Sequence, residues 1–137
     1  MSMSTSLYRL PLSKLEEFDE VGVITDADLA ALASNSHRLD QGLAYRMRDY
    51  PDVFAYMLKT EGRMKHEHEE ISIGYITAPK LRERLAQFEQ LNVSSIREDL
   101  GEQDLPLDYF EKNMASLRSF LKLTTDNDFA LLVVQAL

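Results

Sequence analysis

Hydrophobic and polar positions along this chain change period several times, and each change marks an element. "STSLYRL" (Ser4–Leu10) carries β-favouring residues in partial alternation, and Pro11 ends it, so the stretch predicts a strand. "LSKLEEF" then sets Leu12, Leu15 and Phe18 along one side of a short helix. In "VITDADLAALAS", Thr25 is placed to cap a helix, Asp28 to reach back three residues later, and Ile24 to staple onto Leu29. "YITAPKLRERL" repeats the device with Thr77 as cap, Pro79 in the first turn and Ile76 against Leu81. Leu81, Leu85 and Phe88 then recur at i, i+4, i+7, which predicts an amphipathic helix with Arg82, Glu83 and Arg84 turned outward.

Between these segments, "DYPDVFAYMLKTEG" has Pro51 suited to a first turn, a stripe of Val53, Phe54, Met57 and Leu58, and Gly62 suited to a C-terminal cap. Phe110, Met114, Leu117 and Leu121 predict a long helix with one buried stripe. "TTDND" reads as a turn. The continuous apolar run "FALLVVQAL" reads as a strand buried on both faces, placed inside the sheet because an exposed edge of that composition would aggregate. A helical ending is the alternative, since Ala, Leu and Gln tolerate helix. The fold class expected is α+β: one domain over residues 1–137, with about three strands (Ser4–Leu10, Ile71–Tyr75, Phe129–Ala136) packed by four to six helices.

Length and composition agree with that outline. A chain of 137 residues is one domain by its size and buries roughly 68–70% of its unfolded surface. Apolar residues at 45% and charged residues at 28% describe a globular protein rather than a disordered one. Cysteine is absent, which excludes disulfides, thiol nucleophiles and thiolate metal sites and fits a reducing, cytoplasmic location. "MSMSTSLYRL" lacks the basic and apolar regions of a signal peptide, and no apolar run reaches membrane-spanning length, so no membrane association is expected.

Charge adds the first functional constraint. The formal net charge of −8 disfavours direct nucleic-acid binding. From Glu98 to Glu111 there are six acids and no base. Asp104 or Asp108 suits the N-terminal end of the last helix, where a carboxylate is stabilised. Glu98, Asp99, Glu102, Asp104 and Asp108 together form a candidate patch for a protein partner with a basic surface.

Chemistry concentrates in "KHEHEE". If residues 66–70 are extended, His66, His68 and Glu70 share a face, a geometry compatible with a metal ion. The only other histidine is His37, and neither H-E-x-x-H nor H-x-x-E-H spacing occurs. The plainer reading is a charged loop between a helix ending near Gly62 and a strand starting near Ile71. No nucleophile elbow is present, and the five glycines are spread singly rather than clustered around a phosphate. No cofactor and no catalytic residue is expected from these patterns. The carboxylate pairs Glu16/Glu17 and Glu69/Glu70 read as solvated. Tyr45, Tyr50, Phe54 and Tyr56 read as core, with a binding groove as the alternative.

Three stretches carry a resemblance: "MSMSTSLYRLPLSKLEEF", "EISIGYITAPKLRERLAQFEQLNVSSIREDL" and "LDYFEKNMASLRSFLKLTTDNDFALLVVQAL". Together they resemble the YfbM-like family of bacterial proteins, a domain of unknown function. The Trp-containing helix of that family has no counterpart, because "RLDQGLAYRMRDYP" stands there without Trp. The resemblance implies a fold and supplies no catalytic residues. The function expected is a non-enzymatic acidic interaction protein, such as an immunity-type protein that neutralises a basic toxin. The alternative is a metal-dependent hydrolase using His66, His68 and Glu70. A third option is an acidic mimic of a nucleic-acid backbone. No oligomeric state follows from the sequence.

Overall fold

The apolar run "ALLVVQA" forms the middle of an antiparallel sheet. The computed structural model describes residues 4–39, 59–89 and 107–136. Their elements are β1 (Ser4–Leu10), α1 (Leu12–Val21), α2 (Asp26–Ala31), a 3-10 turn (Ala33–Asn35), β2 (Ser36–Arg38), β3 (Gly62–Met64), β4 (Ile71–Ile76), α3 (Ala78–Glu89), α4 (Leu107–Asp126) and β5 (Ala130–Ala136). The strand order is β2-β1-β5-β4-β3. The α+β class and the three expected strands are present, but among the described residues the sheet has five strands. The two additional ones, β2 and β3, span three residues each at opposite edges. Three residues are too few to show an alternation that sequence could reveal.

Strand β5 is buried on both sides because helices cover both faces of the sheet. Ala130, Leu132 and Val134 point into a cluster with Leu10, Leu15, Phe18, Ile24, Leu29 and Ile73, so α1 and α2 cover that face. Leu131 and Val133 point the other way, with Leu7 and Gly74 opposite Val133 and Ile76 opposite Leu131. Helices α3 and α4 pack on each other and on β5 at that second face. His37 and Arg9, whose registers belong to the same face, both stack against Phe120 of α4. Fully burying each large aliphatic side chain here is worth about 1.5–3 kcal/mol.

Local signals set the helix ends. Pro11, with φ −60°, precedes α1, and Gly22 ends it at φ 88°, a left-handed conformation that favours glycine. The Gly22 N–H donates to Phe18 O at 2.9 Å. At α2 the expected capping box forms: Asp28 N–H donates to Thr25 Oγ1 at 3.1 Å, and Thr25 N–H donates to Asp28 Oδ2 at 2.9 Å. Ile24 and Leu29 meet in the first core cluster, as a staple requires. Thr77 precedes α3 and accepts from Leu81 N–H at 2.9 Å, while its own N–H and hydroxyl donate to Glu61.

Three expectations are corrected. Gly62 opens β3 rather than capping a helix, and residues 59–61 before it are not helical; the rest of the expected helix, through residue 58, lies outside the described residues. "TTDND" is not all turn, because α4 runs through Asp126. Thr124 and Thr125 stay buried within the helix by donating their hydroxyls to Phe120 O and Lys122 O. Arg84 is buried, not turned outward with exposed Arg82 and Glu83. Among the described residues no helix is long and apolar enough to cross a membrane.

Candidate functional site

The chain entering α2 and the chain leaving β3 are stitched together by main-chain hydrogen bonds. Ile24 N–H donates to Lys65 O at 2.8 Å and Glu67 N–H donates to Ile24 O at 3.0 Å, making a short parallel bridge between Ile24 and His66. This pairing brings Asp26, the first residue of α2, beside His66, Glu67 and His68. A carboxylate at that position is also favoured by the positive end of the helix.

The side chains interlock around Asp26. The Asp26 N–H donates to Glu67 Oε1 at 3.0 Å. His68 Nε2 lies 3.0 Å from Asp26 Oδ2 and 3.5 Å from Glu67 Oε1. His66 Nε2 lies 3.1 Å from Asp26 Oδ1, and its side chain is wholly buried. That last contact is close but not a hydrogen bond, because the ring N–H does not point at the oxygen, which leaves Nε2 without a hydrogen-bond partner. The other ring nitrogen of His66 is taken: Nδ1 accepts the His68 N–H at 2.9 Å. In the neutral ring the hydrogen therefore sits on Nε2, and the tautomer follows from that backbone bond.

Ligand-capable atoms of Asp26, His66 and Glu67 lie within 4.8 Å of one another. His66 and His68 also line an open cleft of about 250 Å³ with Arg63, Lys65, Glu69 and Ile71. That volume is a little below the roughly 300–1,000 Å³ of common small-molecule pockets. Buried His66 closes the site from the protein side, while Asp26 and His68 open to solvent.

The structure brings two of the expected metal-site residues, His66 and His68, to one carboxylate. Glu70 lies exposed in the turn before β4 and outside the Asp26–His66–Glu67 group. The segment does not run as a continuous strand from 66 to 70. His37 is on β2, at the opposite edge of the sheet from β3, with its ring 5.3 Å from that of Phe120. Burial there lowers its pKa below the usual 6.5. Of the acidic patch, Glu98, Asp99, Glu102 and Asp104 lie outside the described residues, and Asp108 is the second residue of α4. Tyr45, Tyr50, Phe54 and Tyr56 are likewise outside them. Sequence reasoning missed Asp26 and Glu67. Asp26 reads only as a first-turn acid, and no local spacing connects it to a loop forty residues later.

No protein-family model matches the chain, and no curated protein matches it. Among solved structures, a protein of unknown function, YfbM from Escherichia coli, matches with a TM-score of 0.63 at 13% sequence identity. The match covers 97% of this chain and 99% of that one. At that identity the likeness concerns the fold alone. The chain has a YfbM-like α+β fold.

Proposed function

We propose that this is a non-enzymatic acidic interaction protein, of the immunity type, that binds and neutralises a basic partner such as a toxin in the cytoplasm. The carrying observation is the charge, −8 overall with six acids and no base between Glu98 and Glu111. Helix α1 adds to it: Glu16, Glu17, Asp19 and Glu20 are all exposed, and Lys14 is the one base on that helix. A surface of this sign gives fast association with a basic partner that weakens steeply with salt. The test is binding to a basic partner with and without the triple reversal Asp99→Lys/Glu102→Lys/Asp104→Lys, read at low and high salt. Loss of binding together with loss of its salt dependence supports the patch; unchanged binding removes it.

A metal-dependent hydrolase is the second reading, favoured by the gathering of Asp26, His66, Glu67 and His68 beside an open cleft. Steady turnover of ester or phosphodiester substrates by protein supplied with zinc or manganese, abolished by chelation, would favour it over the binding reading.

A further inference from the structure

We infer that Asp26, Glu67 and His68 form a binding site for one divalent transition-metal ion, with zinc as the reference, and that buried His66 orients Asp26 within it. The site requires neither a protein partner nor turnover; it is the metal site the hydrolase reading would use, and metal binding without turnover would sink that reading while leaving the site standing.

The ligand set follows from the hydrogen bonds rather than from proximity alone. His66 lies as close to Asp26 as His68 does, but it is a poor ligand. Its Nδ1 already accepts the His68 N–H, so the hydrogen is held on Nε2, which offers no lone pair. The ring of His68 is not tied by that backbone bond. Its Nε2 reaches both carboxylates, at 3.0 Å and 3.5 Å, and its backbone rather than its ring makes the bond to His66. Without an ion, Nε2 donates to Asp26 Oδ2, which can only accept. On metal binding that proton leaves to solvent or the hydrogen sits on Nδ1 instead, and the Nε2 lone pair then takes the ion.

The separations fit an ion. Two ligands each about 2.1 Å from a tetrahedral centre stand roughly 3.4 Å apart. The observed 3.0 Å and 3.5 Å from His68 bracket that value, and the Asp26 and Glu67 carboxylates come within 4.8 Å of each other, so an ion would draw the two carboxylates together around His68. One imidazole with two carboxylates is a nitrogen–oxygen set, which selects zinc and its neighbours over calcium or magnesium. Three protein ligands facing solvent leave further positions for water.

The surroundings hold the ligands in place. Glu67 accepts the Asp26 main-chain N–H, which fixes its carboxylate next to that of Asp26. His66 is the independent observation: its wholly buried Nε2–H, without a hydrogen-bond partner, lies 3.1 Å from Asp26 Oδ1. An orphaned buried donor costs about 1–3 kcal/mol. A small rotation of Asp26 onto an ion at Oδ2 would let Oδ1 accept from His66, as outer-shell partners commonly do around metal ligands.

The experiment is calorimetric titration of the untagged full chain with Zn²⁺, with Mg²⁺ as the comparison ion. Wild type is expected to take up one Zn²⁺ per chain and to prefer it to Mg²⁺. Glu67→Gln and His68→Gln, both at exposed positions, should each weaken Zn²⁺ by about tenfold or more, while Glu70→Gln should change it less than about twofold. For the positioning role, His66→Gln should alter the visible absorption of bound Co²⁺ while retaining one site. The inference is overturned if wild type binds no Zn²⁺, if Glu67→Gln or His68→Gln keeps wild-type affinity, or if Glu70→Gln loses as much as they do. An unchanged Co²⁺ spectrum in folded His66→Gln would remove His66 from it.

Discussion

Truncating adjacent leucines of β5 tests the layered arrangement directly, because they face opposite sides of the sheet. Leu131 and Leu132 each expose no surface. Leu132 packs toward α1 and α2, and Leu131 toward α3 and α4. Replacing either by alanine removes the burial of the deleted carbons and leaves a space that a central strand, hydrogen-bonded on both edges, cannot collapse to fill. Each should cost about 3–4 kcal/mol. Unfolding entropy near 2.1 cal/mol/K per residue, over a chain of this length, turns that into a fall in Tm of roughly 10–14 °C. A domain of this size is stable by about 7–20 kcal/mol, so both variants should still fold. Urea unfolding followed by circular dichroism gives the free energies and a thermal scan gives the Tm. Leu123→Ala is the control, since Leu123 is 51% exposed and should change stability by less than about 0.5 kcal/mol. If either core variant loses less than about 1 kcal/mol, one face of the sheet is uncovered and the three-layer account fails.

Other outcomes are as specific. Thr25→Ala removes the side-chain half of the capping box, the acceptor for Asp28 N–H, and should cost about 1 kcal/mol by urea denaturation, whereas an exposed substitution without a cap should not. Because burial holds His37 below 6.5, the unfolded chain takes up the proton first. The stability this contributes is present above pH 6.5 and is lost as pH falls through the lower folded-state value. Urea midpoints measured from pH 7.5 down to 5 should therefore fall less in His37→Gln than in wild type, and parallel profiles would refute it.

What could be read from sequence was local or carried by a long periodic stretch. Thr25 and Asp28 are three residues apart, so their reciprocal cap was visible without any tertiary information. The run through Leu131 and Val134 was visible because burial on both faces removes polar positions altogether. Arg84 was not, because its helical phase lies next to Leu85 and Leu81, and charge alone argued for solvent. Strands β2 and β3 owe their existence to pairing with Ser6–Tyr8 and Ile73–Tyr75 rather than to any pattern of their own. The site shows the same division. The two histidines of "KHEHEE" were conspicuous, but Asp26 joins them only through the Ile24–His66 bridge, and the hydrogen-bond pattern that makes His66 a donor exists only in the folded chain.

The position of β5 has a kinetic consequence. The strand that holds the sheet together is the last in chain order, and its register with β1 pairs Ser4 with Ala136. Before it inserts, β1 and β4 have no common partner, and each presents an unpaired inner edge. Contacts of such long sequence range raise the contact order, which places folding toward the roughly millisecond-to-second end of the scale for small domains. A chain shortened before Ala130 would lose the seam between two half-sheets rather than one dispensable strand, leaving apolar β1 and β4 edges available to other chains.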